Sequence, residues 1–162
     1  MTKSVLAKSY GESGQQVIMK KIRIKRFDKG LPLPEYKTAG AVGFDLTARE
    51  TTVIKPGMVG YIPLNVAVET PKDHILLIAA RGSTHKQGLM PAHGIGIGDP
   101  DFRGDSDEYK FPAFNFTKKP VTVEKGIRIA QGIFVKFTKA SWQEVSKMSS
   151  KTRGGFGSTG KK

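Results

Sequence analysis

Thr51–Pro71 reads TTVIKPGMVGYIPLNVAVETP. Val, Ile and Tyr favour extended backbone, and Pro-Gly pairs favour turns. The stretch therefore reads as short β-strands cut by Lys55-Pro56-Gly57 and by Pro63. The pattern continues on both sides. Toward the N-terminus, VIMKKIRIKRF (Val17–Phe27) alternates at Ile22, Ile24 and, after a slip, Phe27. Toward the C-terminus, HILLIAAR (His74–Arg81) reads as a buried strand. YKFPAFNF (Tyr109–Phe116) alternates large and small residues and is expected to be broken by Pro112, and IRIAQGIFVKF (Ile127–Phe137) is another strand. The 19 Gly and 9 Pro are scattered, so no segment sustains apolar spacing at i, i+3, i+4, i+7 long enough for a substantial helix. One short helical turn is expected at STHKQ (Ser83–Gln87), capped by Ser83 or Thr84. Many short strands with turn signals every about 8–12 residues predict an all-β sandwich or barrel. There is no internal repeat.

A chain of 162 residues suits one domain with a sizeable core. No apolar run approaches the ~20 residues that span a bilayer, so no membrane partner is expected. Met1–Gln16 lacks a continuous apolar core and does not read as a secretory signal. The absence of Cys excludes disulfides, zinc-thiolate sites and cysteine nucleophiles, and fits a cytoplasmic location. The net charge of +13 is uneven: residues 1–29 carry +6, residues 30–105 carry −1 and residues 106–162 carry +8. Lys-rich ends read first as solvated tails. Their functional reading is attraction of a polyanion, and a triphosphate satisfies it as well as nucleic acid does. The aromatics are not interleaved with basic residues as a base-stacking surface requires. The expected organisation is a flexible basic tail over 1–18, a β domain over 19–147 and a flexible C-terminal arm over 148–162, with the first sixteen residues disordered.

Three constellations carry chemistry. In AARGSTHKQG (Ala79–Gly88) a buried strand ends at Arg81, and Gly82, Ser83 and Thr84 follow. A guanidinium, a glycine amide and hydroxyls at the opening of a turn form an anion cradle. In AGAVGFDL (Ala39–Leu46) Asp45 interrupts an apolar strand, so it must be hydrogen-bonded or paired, either as a structural cap or as the orienter of a catalytic group. The tail KTRGGFGSTGKK (Lys151–Lys162) is too rich in Gly, Ser and Lys to fold alone, yet carries Phe156 between two glycines, with Arg153, Gly157, Ser158 and Thr159 close by. Amides, hydroxyls, a guanidinium and a ring describe a lid over a nucleotide. A fourth stretch, GIGIGDPDFRGD (Gly94–Asp105), collects three acids and four glycines in an otherwise basic chain. It reads either as a surface loop or as a site that holds a small molecule against bare backbone and activates a water.

The ordered motifs GFDL, ARGST, GIGDPDFRGD, GIRIAQ and RGGFGSTG resemble those of the trimeric dUTP diphosphatase (dUTPase) family, from about Lys20 to Gly160. The resemblance implies a distorted jelly roll assembled as a homotrimer, with each site closed by a neighbour's C-terminal arm. It implies Mg²⁺-dependent hydrolysis of dUTP to dUMP and pyrophosphate, which keeps uracil out of DNA and supplies dUMP for thymidylate synthesis. It assigns Asp99 to the attacking water, and the hairpin backbone at Gly96, Ile97 and Gly98 to the uracil edge. Phe102 is expected beneath the deoxyribose, where it rejects a 2′-hydroxyl. Arg81, Gly82, Ser83 and Gln131 are expected at the phosphates, with Asp45 behind them. Arg153 would grip the terminal phosphate, with Lys151 able to share its role. Phe156 would stack on uracil, and Gly157, Ser158 and Thr159 would reach phosphate oxygens. His93 stands near the expected base position. Mg²⁺ would be held by phosphates and water, with no protein ligand cluster. His74 is expected in a surface turn and His85 in solvent. Gly98, where the family usually has a β-branched residue, is expected to loosen the hairpin.

Two other readings compete. A dCTP deaminase shares the fold but uses a Glu in the hairpin region and lacks the Phe-bearing arm. A nucleotide- or nucleic-acid-binding homologue without catalysis is suggested by the net charge and ranks last, because Asp99, Gln131 and the arm are all present.

Overall fold

The computed structural model describes residues 8–10, 16–18 and 20–155. Among them lie thirteen strands, every pairing antiparallel, and one 3-10 turn at Thr84–Gln87. Four strands form the sheet that positions the site. β8 (His74–Ala80) and β13 (Arg128–Lys136) lie at its centre, with β10 (Gly96–Gly98) and β4 (Phe44–Thr47) at its edges. A three-stranded sheet sets β11 (Lys110–Asn115) between β6 (Val59–Pro63) and β9 (Leu89–Pro91). Two-stranded pairs complete the fold: β12 (Val121–Val123) with β5 (Thr52–Ile54), and β3 (Ile24–Arg26) with β7 (Val66–Val68). β1 (Lys8–Tyr10) pairs with β2 (Gln16–Ile18), so a short ribbon stands inside the stretch expected to be unstructured.

Inward-facing residues of these sheets make one core, with Leu46, Ile54, Ile62, Leu76, Phe111 and Ile129 sealed from solvent. Each such side chain contributes about 1.5–3 kcal/mol by leaving water. Pro112 does not break its strand. Its carbonyl accepts from Ala92 N–H at 2.9 Å, on the β9 side. The missing N–H therefore faces past the end of β9, and the ladder to β6 runs from Lys110 to Phe114 without loss.

The turn after β8 also differs from expectation. Ser83 stands at its N-cap without a side-chain cap bond. Thr84 is buried instead, and its hydroxyl donates to the Ile129 carbonyl at 3.0 Å. That acceptor is available because β13 shifts register against β4 between Arg128 and Ala130. The bulge sends both Ile129 and Ala130 inward and leaves Arg128 exposed on the rim. Gly88 ends the turn in the left-handed region at φ 80°.

Candidate active site

Two groups of candidate residues are arranged along β8, one where the chain leaves its C-terminal end and the other on the strand paired to its middle and the turn that follows. At the C-terminal end the chain leaves the sheet at Arg81. Asp45 lies on β4 opposite Gln131 of β13. Its two carboxylate oxygens are divided: Oδ1 accepts from Arg81 Nε at 2.8 Å and Oδ2 from Arg128 Nη1 at 2.8 Å. Arg81 Nη1 also donates to the Arg128 carbonyl at 3.3 Å. An anion mostly removed from water is thus paired twice, which answers the requirement set by its place in an apolar strand. The two guanidiniums exceed the one carboxylate by a positive charge, and their remaining N–H groups face solvent. Gln131 donates from Nε2 to the Ala80 carbonyl at 3.2 Å, tying β13 to the residue before Arg81. Gly82 is exposed, and a Cβ there would meet nothing within 4 Å. Ser83 is exposed beside it. The arrangement can receive a multiply charged anion on guanidiniums, an amide and a hydroxyl.

β10 forms the sheet edge against the middle of β8, with Gly96, Ile97 and Gly98 opposite Ile78, Leu77 and Leu76, and the chain beyond Gly98 runs on toward the N-terminal end of β8. Ile95 and Ile97 are 56% and 66% exposed, so an apolar face accompanies a backbone edge whose outer side carries no strand among the described residues. His93 packs its ring over Gly96, where a Cβ would come within 3.1 Å of Nε2. A turn then closes with Phe102 N–H donating to the Asp99 carbonyl at 3.1 Å. It presents Asp99 and Phe102 to solvent together. Asp99 borders an open cleft of about 490 Å³ shared with Lys72, Arg103 and Lys139. Tyr109 fills the space beside Gly98 and packs edge-to-face on Phe102, with ring centroids 5.0 Å apart.

The structure therefore brings together Asp45, Arg81, Gln131 and the Gly82–Ser83 backbone, and separately Gly96–Gly98, Asp99, Phe102 and His93. It does not bring the two groups together within one chain. Gly96 stands level with Ile78 and Gly98 with Leu76, three and five residues before Arg81, or about 10 and 16 Å of strand, and Asp99 and Phe102 follow beyond Gly98. Arg153 is exposed, and Phe156, Gly157, Ser158 and Thr159 lie outside the described residues. His85 is exposed. His74 opens β8, half-buried, and its Nδ1 hydrogen bond at 2.7 Å holds the Asp73 carboxyl below the usual carboxylate range. Asp107 accepts from Gly104 N–H, and Asp105 pairs with Lys25, so these acids brace the loop after the hairpin. Glu108 pairs with Arg49 at 2.7 Å and takes the Asn65 N–H, a part-buried structural link. Two residues escaped the sequence reading. Arg128 stood inside a quoted motif, and its signal was that one buried carboxylate can take two guanidiniums. Tyr109 carried no local signal, since its role depends on the space left at Gly98.

An all-β fold with a cationic cradle at one end of a strand and a glycine-edged hairpin bearing an acid and a ring further along it defines a protein for an anionic, ring-bearing small molecule. The dUTPase family model matches residues 29–160. The deoxyuridine 5′-triphosphate nucleotidohydrolase of Dictyoglomus turgidum is 34% identical over 149 residues, 88% of this chain and 99% of that protein. The enzyme of the same name from Rickettsia prowazekii is 37% identical over 145 residues, 86% of this chain and 96% of that one. The crystal structure of dUTPase from Streptococcus mutans superposes with a TM-score of 0.69 at 27% identity, covering 76% of this chain and all of that one. The chain belongs to the dUTPase family, and its fold is of the jelly-roll type expected from its motifs.

Proposed function

We propose that the protein is a dUTP diphosphatase, which hydrolyses dUTP to dUMP and pyrophosphate. The observation that carries this reading is the hairpin tip, where Asp99 and Phe102 share one turn beside a glycine-edged strand. The hairpin backbone reads the uracil edge, with His93 beside it. Phe102 lies against the deoxyribose and leaves no room for a 2′-hydroxyl. Arg81, Gly82, Ser83 and Gln131 hold the phosphates, Asp45 sets the guanidinium planes, and Arg128 joins Arg81. Arg153, Phe156, Gly157, Ser158 and Thr159 belong to a closing arm over 148–162.

In the reaction, Asp99 orients a water and accepts its proton as the oxygen bonds to the α-phosphorus. The bond from that phosphorus to the α,β-bridging oxygen breaks, and pyrophosphate leaves in line. The guanidiniums stabilise the charge that develops on the phosphoryl oxygens. Among the described residues no group of three or more His, Asp or Glu side chains suits a metal ion. Arginines, an amide and hydroxyls suit a metal that arrives on the phosphates. Mg²⁺ carried there would supply charge neutralisation.

The separation along β8 supports a site shared between copies of the chain. So does the outer face of the β6–β11–β9 sheet, where Val59, Tyr61 and Met90 are exposed on paired strands and Phe116 is exposed just past the end of β11. The assembly is a homotrimer in which one copy's hairpin meets another's arginine cradle. Among the described residues no helix is long and apolar enough to cross a membrane, and the reading places the enzyme in the cytoplasm, acting on free nucleotide. Asp99→Asn tests the chemistry: dUTP turnover is expected to fall by about 10²–10⁴-fold, while a non-hydrolysable analogue still binds. Full activity in that variant would remove Asp99 from its role.

A further inference from the structure

Gly98 is a glycine because of a ring and not because of its backbone. Its φ lies outside the left-handed region. A Cβ there would sit 2.4 Å from Tyr109 Oη, 2.7 Å from Cε1 and 2.8 Å from Cζ, closer than any real contact. Tyr109 is only 6% exposed and is clamped by its backbone, donating to Val66 O at 3.0 Å and accepting from Leu64 N at 2.9 Å. Its ring meets Phe102 edge-to-face at 67°. Its hydroxyl lies 3.5 Å from the Phe102 carbonyl, at the long end of hydrogen bonding. Burial pushes its phenol above the usual tyrosine range; the Thr70 hydroxyl beside it works in the opposite direction, and the Asp99 and Asp107 charges add to the rise.

We propose that Tyr109 is a positioning residue that, admitted by the missing side chain at Gly98, braces the Asp99–Phe102 turn and holds the Phe102 ring at the height that discriminates deoxyribose from ribose. The proposal rests on the dUTPase reading and adds to it. A ring held from below by a second ring cannot recede to admit a 2′-hydroxyl. A hairpin with a β-branched residue at 98 would support the turn from the strand itself. This chain has moved that support across the turn to Tyr109.

The test uses the full chain with Tyr109→Phe, Tyr109→Val, Gly98→Ile and the double variant Gly98→Ile/Tyr109→Val. The readouts are kcat/KM for dUTP and for UTP, with thermal melting alongside. Tyr109→Phe is expected to keep the dUTP/UTP ratio. Tyr109→Val is expected to lower it by about two- to tenfold, the scale of one aromatic pair. Gly98→Ile alone is expected to lose both melting temperature and activity. The double variant is expected to recover melting temperature and ratio beyond the sum of the single effects. Folded Tyr109→Val with an unchanged ratio, or a double variant no better than additive, would overturn the proposal. A parent chain that releases no pyrophosphate from dUTP would instead overturn the function on which it rests.

Discussion

Asp45 is the residue on which the anion cradle turns. Its carboxylate fixes Arg81 and Arg128 at 2.8 Å each, while Gln131 holds the strand end beside them. Removing it leaves the half-buried Arg81 and the exposed Arg128 without a counter-charge and free to repel each other. Hydrogen bonds to charged groups contribute about 1.5–3 kcal/mol, so Asp45→Ala is expected to raise KM for dUTP by roughly ten- to a hundredfold in steady-state kinetics. An unchanged KM would mean that the arginines are set by other contacts. This need for a partner was legible in the sequence, because a charge inside GFDL cannot remain unpaired. The second partner was not, because Arg128 reaches Asp45 only through the bulge between Arg128 and Ala130, and a register shift leaves no local pattern.

At the scale of elements, strands were easier to read than their punctuation. HILLIAAR was expected to be a buried strand; it forms β8 at the sheet centre, with Leu76 and Ile78 buried and the rest half-buried. Pro112 was misread, because the cost of a proline depends on which side of its strand lacks a partner. The side-chain cap expected from Ser83 or Thr84 is not made: Ser83 holds the N-cap position without a side-chain bond, and Thr84 bonds a buried carbonyl on β13 instead. The ribbon of β1 and β2 was missed because it comes from a stretch with little apolar content. The C-terminal arm can be tested as an element. Deleting Lys151–Lys162 removes Arg153 and the Phe156–Thr159 group but none of the residues that form the core. Turnover of dUTP is expected to fall at least tenfold with the oligomer intact by light scattering. Undiminished turnover would deny the arm its closing role.

For the molecule as a whole, the proposed function takes the separation of the Arg81 group from the Asp99–Phe102 turn along β8 to mean that a lone chain holds half a site. The apolar outer face of β6–β11–β9 gives copies a reason to meet. Trp142, the sole tryptophan, is 94% exposed in the isolated chain, and Val145 and Met148 follow it, likewise uncovered. In an assembled trimer this segment is expected to lie on a neighbour, so Trp emission should be blue-shifted and move to the red on dissociation at low concentration. Emission that is water-like in the trimer would leave the segment free of its neighbour. The net charge of +13 then suits a triphosphate substrate, with hydrolysis as the central claim. The measurement that tests it most directly is pyrophosphate release from dUTP, dCTP, dTTP and UTP, with Mg²⁺ and with EDTA, while ammonia release from dCTP is followed in parallel. The account predicts release from dUTP alone, abolished by EDTA. Ammonia from dCTP, or silence on every nucleotide, would contradict it.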